Sequence, residues 1–162
     1  WGIIGLGAIG RRVAEIARAF GAKVIYYSAS GAPAQEGYEQ VDFETLLTQS
    51  DIISVHAPLN EHTEGLINSK AFEKMKSSCI FLNLGRGPIV DEQALYNALV
   101  RNQIAAAGLD VLCKEPMSAD NPLLKIKDSK RLLITPHIAW ASVEARTHLM
   151  EIIHGQVKDF FA

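Results

Sequence analysis

Gly5-Leu6-Gly7-Ala8-Ile9-Gly10 follows the apolar run at residues 2–5 and opens a segment in which Ile9, Val13, Ile16, Ala17 and Phe20 recur at helical spacing. Alone, a G-x-G-x-x-G string says little. Between a strand and a helix it has the context of a dinucleotide-binding turn. Gly5 permits the tight turn, Gly7 lets the backbone approach a pyrophosphate, and Gly10 lets the helix pack close to the strand. With Ala8 and Ile9, the helix N-terminus offers free N–H groups and a partial positive charge to the phosphates.

Outward from this loop, strand and helix patterns alternate. Gly21 stops the first helix, and residues 23–27 form the second apolar run. Residues 28–40, with Gly31, Pro33 and Gly37, read as loop. A short helix over 43–47 precedes a strand at 51–55, and a helix over 69–75 precedes a strand at 79–84. Residues 91–100 form a helix with Ala94, Leu95, Ala98 and Leu99 on one face. Residues 105–110 and 132–135 are further strands, with an irregular loop at 114–130 between them. Ser142 is a candidate N-cap for a helix that runs to the end at Phe160-Phe161-Ala162, with Leu149, Ile152, Ile153 and Phe160 facing inward. The alternation predicts an α/β fold of Rossmann type: a doubly wound parallel sheet with helices on both faces. In such sheets ligands bind beyond the carboxyl ends of the strands. Gly5, Ser28, His56, Gly85, Arg86, Asp110 and His137 all fall at those ends.

The bulk numbers agree with one domain. The chain has 162 residues, 48% of them hydrophobic, and a net charge of −2 from 16 basic and 18 acidic residues. That balance offers no basic face to nucleic acid or anionic lipid. No apolar run approaches the roughly 20 residues that span a bilayer. Cys79 and Cys113 are far apart, so neither a disulfide framework nor a metal site is expected, and a reducing cytoplasm is the expected setting. Opening on a strand and closing within a helix, the chain reads as one dinucleotide-binding domain, residues 1–162, of a longer protein.

One usual feature is missing. An acidic residue about 20 positions past the glycine loop ordinarily bonds the adenosine ribose. Here the second strand ends Tyr26-Tyr27-Ser28-Ala29-Ser30. No carboxylate repels a 2′-phosphate and no cation grips one, so NAD and NADP both stay open.

Further stretches carry a family resemblance: His56-Ala57-Pro58-Leu59; Asn83-Leu84-Gly85-Arg86-Gly87-Pro88-Ile89-Val90-Asp91-Glu92; Gly108-Leu109-Asp110-Val111 with Lys114-Glu115-Pro116; and Thr135-Pro136-His137-Ile138-Ala139-Trp140. With the glycine loop, these resemble the D-isomer-specific 2-hydroxyacid dehydrogenases over essentially the whole chain. The His-Ile-Ala-Trp form is most similar to the glycerate dehydrogenase (hydroxypyruvate reductase) branch.

The resemblance implies an NAD(P)-dependent oxidoreductase that interconverts a D-2-hydroxy acid and its 2-keto acid. It implies Arg86 as a bidentate clamp on the substrate carboxylate. His137 is implied as the general acid/base and Glu115 as the partner that fixes its tautomer. Asp110 is implied near the nicotinamide, a turn or helix-capping role being its alternative. Ser28, His56, Ala57, Pro58, Thr63, Leu84, Gly85, Arg86, His137 and Ala139 complete the implied cofactor contacts. Trp140 either walls the pocket or packs at an interface. Cys113 has no activator, and His62, His148 and His154 read as surface residues. The resemblance further implies a homodimer, a separate substrate-side domain outside these 162 residues, and little turnover without it. A cofactor-sensing module of corepressor type is the alternative reading, since such proteins can keep the same residues.

Overall fold

The computed structural model describes residues 1–161, so of the helical ending at 160–162 only Ala162 lies outside the described residues. Seven parallel strands form one sheet in the order β3-β2-β1-β4-β5-β6-β7. They are β1 (Gly2–Ile4), β2 (Ile25–Tyr27), β3 (Glu39–Gln40), β4 (Ile52–Val55), β5 (Ile80–Asn83), β6 (Ala106–Leu109) and β7 (Leu132–Ile134). The helices are α1 (Ala8–Ala19), α2 (Phe43–Gln49), α3 (Ser69–Lys74), α4 (Glu92–Val100) and α5 (Val143–Phe160). The chain starts in the middle of the sheet, works out to β3, then crosses to the other side of β1. The order therefore reverses between β1 and β4, where the loops at their carboxyl ends part and leave a crevice. Gly5 and His56 stand at its floor: Gly5 N donates to Tyr27 O at 3.0 Å and His56 N to Ile4 O at 2.8 Å.

The larger core lies on one face of the sheet. Ile53, Val55, Phe81, Ala107 and Leu109 pack there with Leu46, Phe72 and Leu95 from α2, α3 and α4. Ala94, Leu95, Ala98 and Leu99 are all buried, the face that the α4 pattern predicts. On the other face α1 covers Ile3, Val24 and Tyr26. Ile80, Leu84 and Leu133 remain exposed on that same side.

α1 buries only part of its apolar pattern. Ala17 is buried with Gly10 and Ala14, and Val13 is partly buried against them, whereas Ile9, Ile16 and Phe20 are exposed. The cause is backbone proximity: a Cβ on Gly10 would lie 2.1 Å from Gly5 O. That contact sets the helix rotation, and small residues follow it along the interface.

α5 corrects an expectation. Ser142 caps it, accepting from Ala145 N at 3.2 Å. However, Leu149, Ile152, Ile153 and Phe160 are 48%, 44%, 41% and 83% exposed instead of facing inward. Their helical spacing is apolar, but no element among the described residues packs on it. The loop predicted over 28–40 also ends differently, since Glu39–Gln40 pairs with β2. Two polar edge residues carry no periodicity; Tyr26 Oη, donating to Gln40 Oε1 at 2.9 Å, helps to seat them.

Candidate functional site

The three motif glycines serve different ends. Gly5 has φ +91°, and a Cβ there would lie 2.8 Å from Ala57 N. Gly10 abuts Gly5 O. Gly7 has neither constraint: its φ is −75°, and a Cβ would meet nothing within 4 Å. The chain's own packing does not require glycine at position 7, so the space above it is free for something that approaches from outside. Gly7 is also the N-cap of α1, with no side chain capping the helix and no acidic residue in its first turn. The first-turn N–H groups, including those of Ala8, Ile9 and Gly10, lack helical partners. Unpaired donors, a helix dipole and open space fit a pyrophosphate.

A cavity of about 280 Å³ opens beside the loop, lined by Gly5, Gly7, Ser28, His56, Ala57, Pro58 and Thr63 among others. Ser28 Oγ lies 3.1 Å from Ser30 Oγ. No carboxylate and no Lys or Arg lines this cavity, so its chemistry leaves the choice between NAD and NADP open. His56 Nε2 lies 3.1 Å from Ser54 Oγ, and burial lowers the ring's pKa, which keeps it neutral near pH 7. Thr63 is buried, and its hydroxyl is used within the 58–63 turn, donating to Pro58 O at 2.7 Å and accepting from Asn60 N at 2.9 Å. Gln35, which the motif reading overlooked, donates to Leu6 O at 2.9 Å and ties the 28–38 loop to the glycine loop.

At the end of β5, Asn83 braces the Arg86 turn. It is buried, its Nδ2 donates to Arg86 O at 3.0 Å, and its Oδ1 accepts from Gly85 N at 3.1 Å. A polar residue ending an apolar strand was the available signal for it. Leu84 is exposed, Gly85 and Gly87 are buried, and the Arg86 side chain is exposed, with Nη1 donating to Gly85 O at 2.8 Å.

A second cavity, of about 630 Å³, is lined by Asp110, Glu115 and His137 together with Leu112, Met117 and Thr135. His137 Nδ1 lies 2.8 Å from Glu115 Oε2, across 22 positions of sequence. The Glu115 carboxyl is held below its usual range by Leu112 N–H and by His137. An ionised carboxylate only accepts, so the proton between them sits on Nδ1. Nε2 has no hydrogen-bond partner among the described residues. Cys113 remains a thiol, pushed up to about 11 by burial and by Glu92.

His137 adopts φ +56°, a left-handed conformation that costs about 1–3 kcal/mol away from glycine. Its surroundings hold it there. Asp110 accepts from Thr135 Oγ1 at 2.5 Å, Ile138 N at 2.9 Å and Ala139 N at 2.8 Å. Trp140 Nε1 donates to His137 O at 2.8 Å. Asp110 thus braces the turn. Burial opposes its ionisation, but the bonds from Thr135, Ala139 and Ile138, with the nearby His137 ring, hold its carboxyl below the ordinary 3.8. A lowered folded-state pKa contributes stability above the unfolded value and loses it as pH falls through the folded one. Urea unfolding should therefore show that contribution in full at pH 7 and shrinking below about pH 4. Asp110→Asn should be less stable at pH 7 and lose less in that acid window; an acid response equal to the wild type's would count against the role of Asp110.

Residues 1–139 match the family model described as D-isomer specific 2-hydroxyacid dehydrogenase, NAD binding domain. A hydroxypyruvate reductase of Blautia hydrogenotrophica is 46% identical over 161 residues, covering 98% of this chain and 49% of that protein. Among solved structures, an acyclic imino acid reductase in complex with NADPH and D-arginine superposes with a TM-score of 0.88 at 40% identity, over 99% of this chain and 50% of that one. A D-lactate dehydrogenase from Aquifex aeolicus, complexed with NAD and lactic acid, gives 0.89 at 32% identity, over 99% and 52%. The chain spans about half the length of the curated relatives it matches. No helix among the described residues is long and apolar enough to cross a membrane.

Proposed function

Because the chain belongs to the D-isomer-specific 2-hydroxyacid dehydrogenase family as an NAD-binding domain, we propose that it serves an oxidoreductase acting on a D-2-hydroxy acid, with hydroxypyruvate and D-glycerate as the substrate pair. The observation that carries this reading is the Glu115–His137 contact of 2.8 Å at the sheet edge that also holds the glycine loop. The match to a hydroxypyruvate reductase supports the substrate pair.

Reduction of a 2-keto acid adds a hydride to the keto carbon and a proton to the keto oxygen. A bound dinucleotide would supply the hydride, and the glycine loop and the first turn of α1 would hold its pyrophosphate. His137 donates the proton from Nε2 and takes it back in the oxidative direction. Glu115 holds Nδ1–H and steadies the ring in both charge states. Arg86 grips the substrate carboxylate through its fork. In this reading the substrate-side domain lies in the other half of the longer protein, and its closure excludes water from the reacting atoms.

Arg86→Lys in the full-length protein should raise the KM for the keto acid about 10- to 100-fold, from the loss of about 1.5–3 kcal/mol of charge-assisted hydrogen bonding. The effect on kcat should be smaller. An unaltered KM would remove Arg86 from the clamp. The substrate assignment is tested by steady-state kinetics over several 2-keto acids, with NADH and NADPH in parallel. A higher kcat/KM for hydroxypyruvate than for glyoxylate or pyruvate supports it, and the reverse order assigns a different acid.

A further inference from the structure

Glu92 is not needed where helix geometry would use it. α4 is already capped by Asp91, whose Oδ1 accepts from Gln93 N and Ala94 N, each at 2.9 Å. Glu92 instead reaches away from its own helix. Its Oε1 accepts from Cys113 N at 2.8 Å and its Oε2 from Asn121 Nδ2 at 2.8 Å, 21 and 29 positions along the chain. It forms no ion pair among the described residues.

Both contacts fall on the loop that carries Glu115. Cys113 N–H belongs to the Leu112–Cys113 peptide, and the neighbouring Leu112 N–H donates to Glu115 Oε1 at 2.9 Å. The same peptide is blocked on another side by the Arg86 turn. A Cβ on Gly87 would lie 2.0 Å from the carbonyl carbon of Leu112 and 2.4 Å from Cys113 N. The peptide is therefore seated against Gly87 and tied by Glu92, while Asn121 ties the far end of the loop to the same carboxylate. A continuous path runs from α4 through Glu92 to the 112–113 peptide, then to Glu115 and the His137 ring.

We propose that Glu92 is a positioning residue for the His137–Glu115 pair: its carboxylate fixes the loop that presents Glu115 to Nδ1. This rests on the reading of His137 as the acid/base. The two oxygens act as a two-point clasp, which fixes both the height and the rotation of the loop. One bond alone would let Glu115 swing. A misplacement of about 1 Å at a reacting group can cost about 10²-fold in rate.

The test is a kinetic cycle in the full-length protein. Glu92→Ala should lower kcat at least about tenfold, leaving the NADH affinity, read by fluorescence, unchanged. Glu115→Ala should also lower kcat. The double variant should be no slower than Glu115→Ala alone, because both remove one function. Independent, multiplicative losses would overturn the proposal, as would an unchanged kcat in Glu92→Ala. Glu92→Gln sets two donors against each other at Asn121 and should be slow; adding Asn121→Asp supplies an acceptor and should restore kcat. That rescue needs no unfolded or destabilised alanine variant to be interpreted, and its failure overturns the clasp. His137→Asn, run beside the cycle, separates the two levels. If it turns over normally, the acid/base reading falls. If it is slow while Glu92→Ala is fast, only the positioning role falls.

Discussion

His137→Asn in the full-length protein is expected to lower kcat about 10²- to 10⁴-fold while leaving NADH affinity nearly unchanged. Asparagine is the informative replacement because position 137 has φ +56°, and asparagine tolerates that conformation better than alanine does. The backbone brace can then survive. Ile138 N and Ala139 N still reach Asp110, and Trp140 Nε1 still reaches the carbonyl of residue 137. What is lost is the imidazole that donates Nδ1–H to the ionised Glu115 and can pass a proton at Nε2. The amide can donate a hydrogen bond to Glu115 but cannot deliver a proton to an alkoxide. Unchanged turnover would remove His137 from proton transfer.

The second large effect is expected at Gly10. The Cβ of Gly10→Ala would sit 2.1 Å from Gly5 O, too close for any real contact. Gly5 has little room to move, with its N–H on Tyr27 O and no space beside it for even a methyl group against the Ala57 backbone. α1 must therefore lift or rotate, which costs about 1–3 kcal/mol of stability and moves the phosphate-facing N–H groups. NADH affinity should fall about 10- to 100-fold with it. Gly7→Ala makes the contrast. Its Cβ meets nothing within 4 Å, so the melting temperature should hold while NADH binding weakens. Equal NADH affinity in Gly7→Ala and the wild type would mean that no pyrophosphate lies over that position.

The two variants probe roles that the motif already assigns separately: in the folded chain Gly5 and Gly10 answer to backbone contacts and Gly7 to open space. α1 shows where a sequence pattern stops. Ile9, Ile16 and Phe20 set the visible pattern, yet the close approach at Gly10 turns the small residues Ala14 and Ala17 inward. α5 shows it again, since Leu149 and Ile153 mark an apolar stripe that no described element covers.

The sequence by itself determined the α/β alternation, the placement of the glycine loop between β1 and α1, and the fall of Arg86, Asp110 and His137 at strand ends. These follow from local periodicity and from glycine and turn chemistry, which act over a few residues. The family resemblance implied Glu115 as the partner of His137, but only the tertiary structure shows that contact and the positions of Asp110 and Glu92 around it. Glu115 and His137 are 22 positions apart, Glu92 and Asn121 29, and no local rule brings either pair together. The parallel order β5-β6-β7 does, because it sets the loops after these three strands side by side. In that arrangement Asp110 braces the His137 turn, Glu115 meets the ring, and Glu92, at the head of the helix after β5, reaches the loop between them.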